Sequence, residues 1–186
     1  MRVSQQEAAK NRERVVKTAS QMFRKDGYDG TGIAALMKAA GMTNGAFYKQ
    51  FDSKEALIAE ATAHGLAENA EGWRRVLDRA ESDALQAIAE WYLSEAHLAH
   101  PGAGCTYAAL ASEAPRHEEP VRKAFDDGLR HTLEIIATAA GSGNEAGDDS
   151  TAIRYLSRLI GALTLARAVD DPELSERILV ANRSAE

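Results

Sequence analysis

The stretch GMTNGAFYKQFDSKEAL at residues 41–57 predicts a short helix with a polar surface, a break, and a second helix with its own N-terminal cap. Gly41 can adopt the positive φ that ends a preceding helix, and the hydroxyl of Thr43 can cap the next one. Phe47 and Phe51 lie four residues apart, so both can anchor on one helical face in a core. The residues between them are then left on the surface.

These surface residues have small, amide, phenolic and cationic side chains. Such groups suit hydrogen bonding to base edges, contact with a thymine methyl group and pairing with phosphate. No catalytic residue type stands out among them. The set that predicts a DNA-reading helix is Asn44, Gly45, Ala46, Tyr48, Lys49 and Gln50.

The second helix of the stretch carries a further indication. Asp52 or Ser53 can cap it, and Glu55 follows Asp52 in capping-box register. Lys54 falls in its first turn, where the helix dipole disfavours a cation. We therefore expect Lys54 to meet an external anion such as a DNA phosphate.

Two more helices are predicted upstream. The nearer begins at Thr31 and Gly32, and the longer one ends at Asp26 and Gly27. Their apolar positions recur at helical spacing: Val15, Val16, Ala19, Met22 and Phe23 in the longer helix, and Ile33, Leu36, Met37 and Ala40 in the nearer one. Three helices would form one small module.

Residues 12–62 resemble the N-terminal domain of the tetracycline-repressor (TetR) family of transcription regulators. The most specific parts of the resemblance are Thr43, Gly45, Phe47 and Tyr48, followed by Phe51, Ser53, Lys54 and Leu57. It implies an all-α fold of about nine helices, with a helix-turn-helix DNA-binding domain at 1–52 and a larger helical effector-binding and dimerisation domain at 53–186. The alternative is a helical hairpin in an unrelated all-α protein.

The resemblance also implies roles for individual residues. Thr43, Tyr48 and Lys54 would contact phosphates, Asn44, Gly45 and Ala46 would face the major groove, and Thr31 would meet the DNA backbone. Family members often carry Tyr or His at the position of Gln50. Whether Gln50 reaches a phosphate, a base or only water therefore stays open.

The composition of the 186 residues favours a single soluble, cytoplasmic protein. No cofactor and no metal are expected. No apolar stretch approaches the roughly 20 residues that span a bilayer, and no signal-peptide pattern begins the chain. The single cysteine, Cys105, excludes an internal disulfide.

The net charge of −6 is unevenly distributed along the chain. Residues 1–60 hold 10 Lys and Arg against 7 Asp and Glu, and residues 61–186 hold the remaining 12 against 21, so the two parts carry +3 and −9. The acidic part should face away from DNA. A basic cluster near the N-terminus, either an arm that meets phosphates or an ordinary solvated helix face, comprises Arg2, Lys10, Arg12, Arg14 and Lys17.

Beyond the first module the pattern predicts helices over 54–80, 83–100, 105–114, the segment after Pro120, the segment after residue 150, and 172–181, with a mobile loop at 141–150. The resemblance implies that the two apolar helices on either side of that loop pair with a second copy as a four-helix bundle. The homodimer interface would comprise Val121, Phe125, Leu129, Leu133, Ile153, Leu156, Ile160 and Leu163. Periodicity alone would equally allow a monomer core.

The resemblance further implies a pocket for a small-molecule effector that releases a repressor from a palindromic operator on double-stranded DNA. Aromatic and polar side chains on otherwise apolar helices are candidates for its lining: His64, Trp91, Tyr92, Glu95, Cys105, Tyr107, Phe125 and Tyr155. The other interpretation is that these are core or surface residues.

Cys105 carries a further hypothesis. It follows PGAG at a predicted helix start, where free amides lower a thiol pKa, and the Gly104–Cys105 pair resembles that of an electrophile-sensing family member. The alternative is a buried packing cysteine. A zinc site or enzyme built on His97, His100 and Cys105 is a weaker alternative, because no fourth ligand or carboxylate base is placed by a motif. Glu113, His117 and Glu118 look like an ordinary charged turn.

Overall fold

The computed structural model describes residues 5–81, 83–141 and 149–184, and these form an all-α fold. Nine α-helices are present in this part: α1 (Gln5–Asp26), α2 (Ile33–Ala39), α3 (Lys54–Leu77), α4 (Ala84–Tyr92), α5 (Glu95–Ala99), α6 (Thr106–Leu110), α7 (Glu119–Ala139), α8 (Ser150–Ala168) and α9 (Pro172–Arg183). Three short 3-10 helices span Asn44–Lys49, Pro101–Ala103 and Ala114–Arg116. Most of the predicted loop at 141–150 lies outside the described residues.

The long helix α3 runs through both hydrophobic cores of the molecule. Its first half contributes Leu57, Ile58 and Ala61 to a cluster built mainly from the residues predicted for the first module. Its second half contributes Leu66 and Trp73 to the core that it shares with α4 to α9, the part of the molecule that we call the body. The packing of both cores therefore depends on the position of α3.

The first module, which we call the head, comprises α1, α2 and the 3-10 helix Asn44–Lys49. Gly41 has a φ of +70° and ends α2 as predicted. Phe47 and Phe51 are both buried, and their rings stack with centroids 5.5 Å apart. This aromatic pair fixes the orientation of the 3-10 helix relative to α1 and α3.

Polar contacts from both sides of Tyr28 join the head to the body. Its hydroxyl shares a 2.7 Å hydrogen bond with Thr62, and its amide donates to Glu113 at 2.9 Å. His117 packs edge-on against the Tyr28 ring and bonds Glu55 at 2.9 Å. The predicted charged turn is therefore a junction, and Glu55 serves it rather than forming a capping box.

The predicted single helix over 83–100 is wrong in one respect. The chain breaks after Tyr92, and α5 begins anew because the hydroxyl of Ser94 caps it by accepting from the His97 amide. Polar capping at a serine competes with continuation of the helix. The break turns the α5 segment across the end of α8 and creates the cleft described below.

Candidate functional site

The short 3-10 helix presents the predicted reading residues on one exposed surface. Thr43, Asn44, Gly45, Tyr48 and Lys49 are exposed, with Tyr48 at 70%. Thr43 occupies the N-cap position, but its hydroxyl makes no capping hydrogen bond. The prediction that the Thr43 hydroxyl caps this helix is therefore wrong, and the hydroxyl is available to a partner outside the chain.

Hydrogen bonds within the chain alter two predicted DNA contacts and decide between the two predicted caps of α3. Thr31 is only 2% exposed and its hydroxyl donates to the Gly27 carbonyl at 3.1 Å, so its side chain is not available to a DNA backbone. Lys54 Nζ donates to the Tyr28 carbonyl at 2.7 Å, which anchors the lysine to the head. Ser53, not Asp52, caps α3 by accepting from the Ala56 amide at 3.0 Å.

Gln50 turns toward the protein. Its Nε2 faces the sulfur of Met42 at 3.7 Å, and its Oε1 is buried without a hydrogen-bond partner among the described residues. Its main-chain carbonyl accepts from Arg12, which also covers the Phe51 ring and pairs with Glu60. Arg12 thus braces the reading helix instead of joining an exposed basic cluster. Lys10, Arg14 and Lys17 remain exposed, and Arg2 lies outside the described residues.

A cleft of about 770 Å³ opens between α3, the α4–α5 segment and the Gly104–Cys105 turn. Its aromatic wall comprises Trp73, Trp91, Tyr92 and His97. Trp91 is 40% exposed, and its ring lies nearly parallel to the His97 ring with centroids 5.9 Å apart. Arg24, from α1 of the head, also lines the cleft.

His97 is held in one tautomer by two hydrogen bonds. Its Nδ1 donates to the Tyr92 carbonyl at 2.7 Å, and its Nε2 accepts from the Cys105 amide at 2.9 Å. Burial, reinforced by the nearby Arg167 guanidinium, lowers the pKa of His97 from 6.5 to about 4. The ring is neutral near pH 7 and ties the floor of the cleft to the end of α4.

The sequence profile described as "Bacterial regulatory proteins, tetR family" matches residues 15–61. The HTH-type transcriptional repressor NemR of Escherichia coli (strain K12) is 27% identical over 137 residues, which cover 72% of this chain and 69% of NemR. The N-terminal part of the chain therefore matches the TetR family.

Solved structures agree with this regulator fold. The reduced form of E. coli NemR superimposes with a TM-score of 0.75 at 24% identity, over 93% of this chain and 95% of that one. A TetR transcriptional regulator from Chloroflexus aurantiacus J-10-fl gives a TM-score of 0.78 at 24% identity, over 96% and 94%. The protein is a DNA-binding transcription regulator, and the relatives are regulators rather than enzymes. Within the described residues, no helix is long and apolar enough to cross a membrane.

The cleft contains some of the residues predicted for the effector pocket. His64, Trp91, Tyr92 and Cys105 line it, whereas Glu95, Tyr107, Phe125 and Tyr155 do not. Glu95 is exposed on α5, and Phe125 packs between the two cores. The hydroxyls of Tyr107 and Tyr155 bond Thr132 and the Leu85 carbonyl inside the body. Sequence reasoning missed Arg24, Asn69 and His97 as lining residues.

The residues predicted for the dimer interface divide between the core and the surface, and one face of α7 packs along α3. Val121 is fully buried against the head, and Leu156 and Leu163 are buried in the body core. Phe125 and Leu133 are partly buried in these cores, and Leu129 is exposed on α7. Within the described residues, the larger group of exposed apolar residues lies on α8 and α9: Ile153, Leu165, Leu174 and Val180.

The structure bears on two hypotheses about Cys105: that its thiol is a sensor, and that it binds zinc together with His97 and His100. The thiol is buried at the wall of the cleft, and burial raises its pKa instead of lowering it. Both nitrogens of His97 are engaged within the chain, so His97 has no lone pair free for zinc. No group of three potential ligands poised for a metal occurs within residues 5–81, 83–141 and 149–184.

The neutral His97 predicts a pH dependence of stability. Because its pKa is lower in the folded protein, the unfolded chain binds more protons between pH 6.5 and 4, so stability is complete above pH 6.5 and falls as the pH drops through this window. The loss is at most about 3 kcal/mol, at 1.36 kcal/mol per pKa unit. Urea unfolding from pH 4 to 8 would measure it. His97→Gln should flatten the slope, and the exposed His100→Gln should not; an unchanged slope in His97→Gln would contradict the assignment.

Proposed function

We propose that the protein is a homodimeric repressor that binds a palindromic operator and leaves it when a small molecule occupies the cleft. The observation that carries this proposal is the exposed polar surface of Asn44–Lys49, held in place by the buried Phe47. Repression is supported by the similarity to NemR, itself a transcriptional repressor. Binding to genomic DNA would also place the protein in the cytoplasm.

The proposed DNA contacts divide into two kinds. Asn44, Gly45 and Ala46 would face base edges in the major groove, and Thr43, Tyr48 and Lys49 would meet phosphates. The free hydroxyl of Thr43 and the exposure of Tyr48 support this division. Residues 1–52 would act as the DNA-binding domain and residues 53–186 as the effector-binding and dimerisation domain, with α3 contributing to the core of each.

Release by a ligand follows from thermodynamic linkage. A ligand that prefers the conformation unable to bind DNA weakens operator affinity by the ratio of its affinities for the two states. Arg24 supports such coupling, because it belongs to α1 of the head and also lines the cleft. A ligand in contact with Arg24 would act on the head directly.

The proposed dimer forms through the exposed apolar residues of α8 and α9. An apolar face of this kind is stabilised by burial against a second copy, and a two-fold dimer matches half-sites roughly one helical turn apart. The small Gly161 lies at the middle of α8 with open space around it, which would permit close approach of a symmetry-related helix.

Leu165→Glu is expected to convert the dimer into a monomer, because it places a charge at the most exposed apolar residue of α8, which is 59% exposed. Light scattering should report the chain mass of 20.0 kDa for this variant and twice that mass for the wild type. Leu129→Glu on α7 is the matched control and should remain dimeric. A monomeric wild type at micromolar concentration would contradict the dimer, and a monomeric Leu129→Glu alone would place the interface on α7.

Selection of bound duplexes from a random DNA pool, at a stated salt concentration, tests the proposed function. The expected result is a palindromic consensus whose half-sites are about one helical turn apart. Asn44→Ala should change the selected bases without abolishing binding. If neither the wild type nor Asn44→Ala selected a consensus sequence, sequence-specific recognition would be contradicted.

The alternative function is electrophile or redox sensing through Cys105, whose burial argues against rapid chemistry. We expect its thiol in the native protein to react at least about 100-fold more slowly with Ellman's reagent at pH 7.5 than in the urea-unfolded chain, since reaction needs an exposed thiolate. N-ethylmaleimide should likewise leave operator binding the same in the wild type and in Cys105→Ala. Rapid labelling, with loss of operator binding only in the wild type, would establish the sensing alternative.

A further inference from the structure

We propose that the cleft binds a planar aromatic anion, with its negative group on the Arg24 guanidinium and its ring against Trp91. This inference rests on the proposed function, because it names the chemical class of effector that the same cleft would take.

Arg24 is a buried cation whose guanidinium has more N–H donors than it has hydrogen-bond acceptors around it. It is 4% exposed, and its guanidinium donates to the Gly102 carbonyl at 3.0 Å, the Thr106 hydroxyl at 3.4 Å and Glu68 at 3.0 Å. A guanidinium carries five N–H groups, so two of them meet no acceptor within the described ranges. Buried donors without acceptors are costly, and an anion in the cleft would supply the missing ones.

The backbone beside Arg24 is shaped to receive this guanidinium. A Cβ added to Gly65 would lie 2.7 Å from the hydroxyls of Ser20 and Thr106 and 2.9 Å from Arg24 Nη1. Only glycine leaves this room on α3. The Ser20 hydroxyl is itself buried with no hydrogen-bond partner in the described structure, so unsatisfied polar groups gather at one spot.

The charge of the lining favours an anion over a cation. Arg24 pairs with Glu68 at 3.0 Å and Arg74 pairs with Glu71 at 2.6 Å, which cancels both carboxylates of the cleft. Arg75 lines the same cleft and has no ion-pair partner among the described residues. With His97 neutral, the uncompensated charge is positive.

The aromatic wall favours a planar ligand. Gly72 allows the Trp91 ring to lie close to α3, since a Cβ there would be 3.2 Å from the indole. The exposed face of Trp91 then forms a flat apolar surface beside the Arg75 guanidinium, 3.8 Å from the same position. Stacking on an indole and pairing with a guanidinium together select a flat ring that carries a negative group.

Isothermal titration calorimetry with three naphthalenes of similar size tests the ligand class: 2-naphthoate, 2-naphthamide and 2-naphthylmethylammonium. We expect the carboxylate to bind at least about tenfold more tightly than the amide, and the ammonium to bind most weakly. Equal binding of acid and amide, tightest binding of the ammonium, or no binding of any of them at millimolar concentration would overturn the proposal.

Single substitutions test whether the bound anion lies on Arg24. Arg24→Gln should weaken naphthoate binding by about tenfold, and Arg79→Gln, exposed and outside the cleft, should not change it. Glu68→Gln removes the carboxylate that competes for Arg24, so it should tighten naphthoate binding several-fold. A purely structural role of this ion pair would not produce such a gain. If Arg24→Gln fails to fold, Glu68→Gln alone tests the proposal, because Glu68 is partly exposed and its substitution should be tolerated. Unchanged or weaker naphthoate binding in Glu68→Gln would contradict an anion bound to Arg24.

The calorimetry uses no DNA, so its outcome is separate from that of the DNA selection. A palindromic consensus without naphthoate binding would overturn only this inference. Naphthoate binding without any selected consensus would overturn the proposed function and leave the anion site standing.

Discussion

Gly45→Glu is expected to lower operator affinity by at least about 100-fold while leaving thermal unfolding unchanged. The position has open space around it and no positive φ, so a side chain fits without strain in the folded protein. In the DNA complex, however, the new carboxylate would face the negatively charged groove, and like charges brought together cost several kcal/mol. Fluorescence anisotropy with the selected operator would measure the affinity.

Gly45→Gln is the control for this prediction, because it has nearly the same size without the charge. It should lose less affinity than Gly45→Glu, and its loss should depend less on salt concentration. Affinities of both variants equal to that of the wild type would show that Gly45 does not approach the DNA. A lower melting temperature in both would point instead to a structural role for this glycine.

Trp73→Ala is expected to destabilise the protein by about 3–5 kcal/mol, because it removes a large aromatic side chain from the body core. Trp73 is 1% exposed and packs its ring 5.3 Å from that of Tyr92. For a chain of this size each kcal/mol shifts the melting temperature by about 2–4 °C, so a decrease of about 6–20 °C should appear in circular dichroism at 222 nm.

Trp91→Ala provides the matched comparison within the same cleft. Since Trp91 is 40% exposed and Trp73 only 1%, the removal of Trp91 should cost less, about 1 kcal/mol, mainly from the lost contact with the rings of Trp73 and His97. Similar decreases in melting temperature for the two variants would mean that Trp91 supports the core as much as Trp73 does.

The head could be predicted from the sequence because local rules determine it. Helical spacing located Phe47 and Phe51 in the core, and Gly41 ended α2 through its positive φ. The hydrogen-bond partners of Lys54, Glu55 and Gln50 could not be predicted in the same way. Each bonds a residue distant in sequence, such as Tyr28 or His117, and such partners are set by tertiary packing.

The body was harder to predict, because α8 is apolar on two faces. Leu156 and Leu163 lie in the core, while Ile153 and Leu165 are exposed. Periodicity alone cannot show which of two apolar faces of a helix is buried. The cleft did leave a signal in the sequence. Gly65 and Gly72 lie seven residues apart within α3, and glycines on one face of a long helix indicate close approach by other groups.

The chain contains two tryptophans, and both line the cleft. Light emitted on excitation at 295 nm therefore originates entirely from its wall, from one indole shielded by the core and one open to solvent. Acrylamide should quench the second indole preferentially, and an occupant stacked on it should suppress that quenching. The unlabelled protein is thus its own optical probe of cleft occupancy.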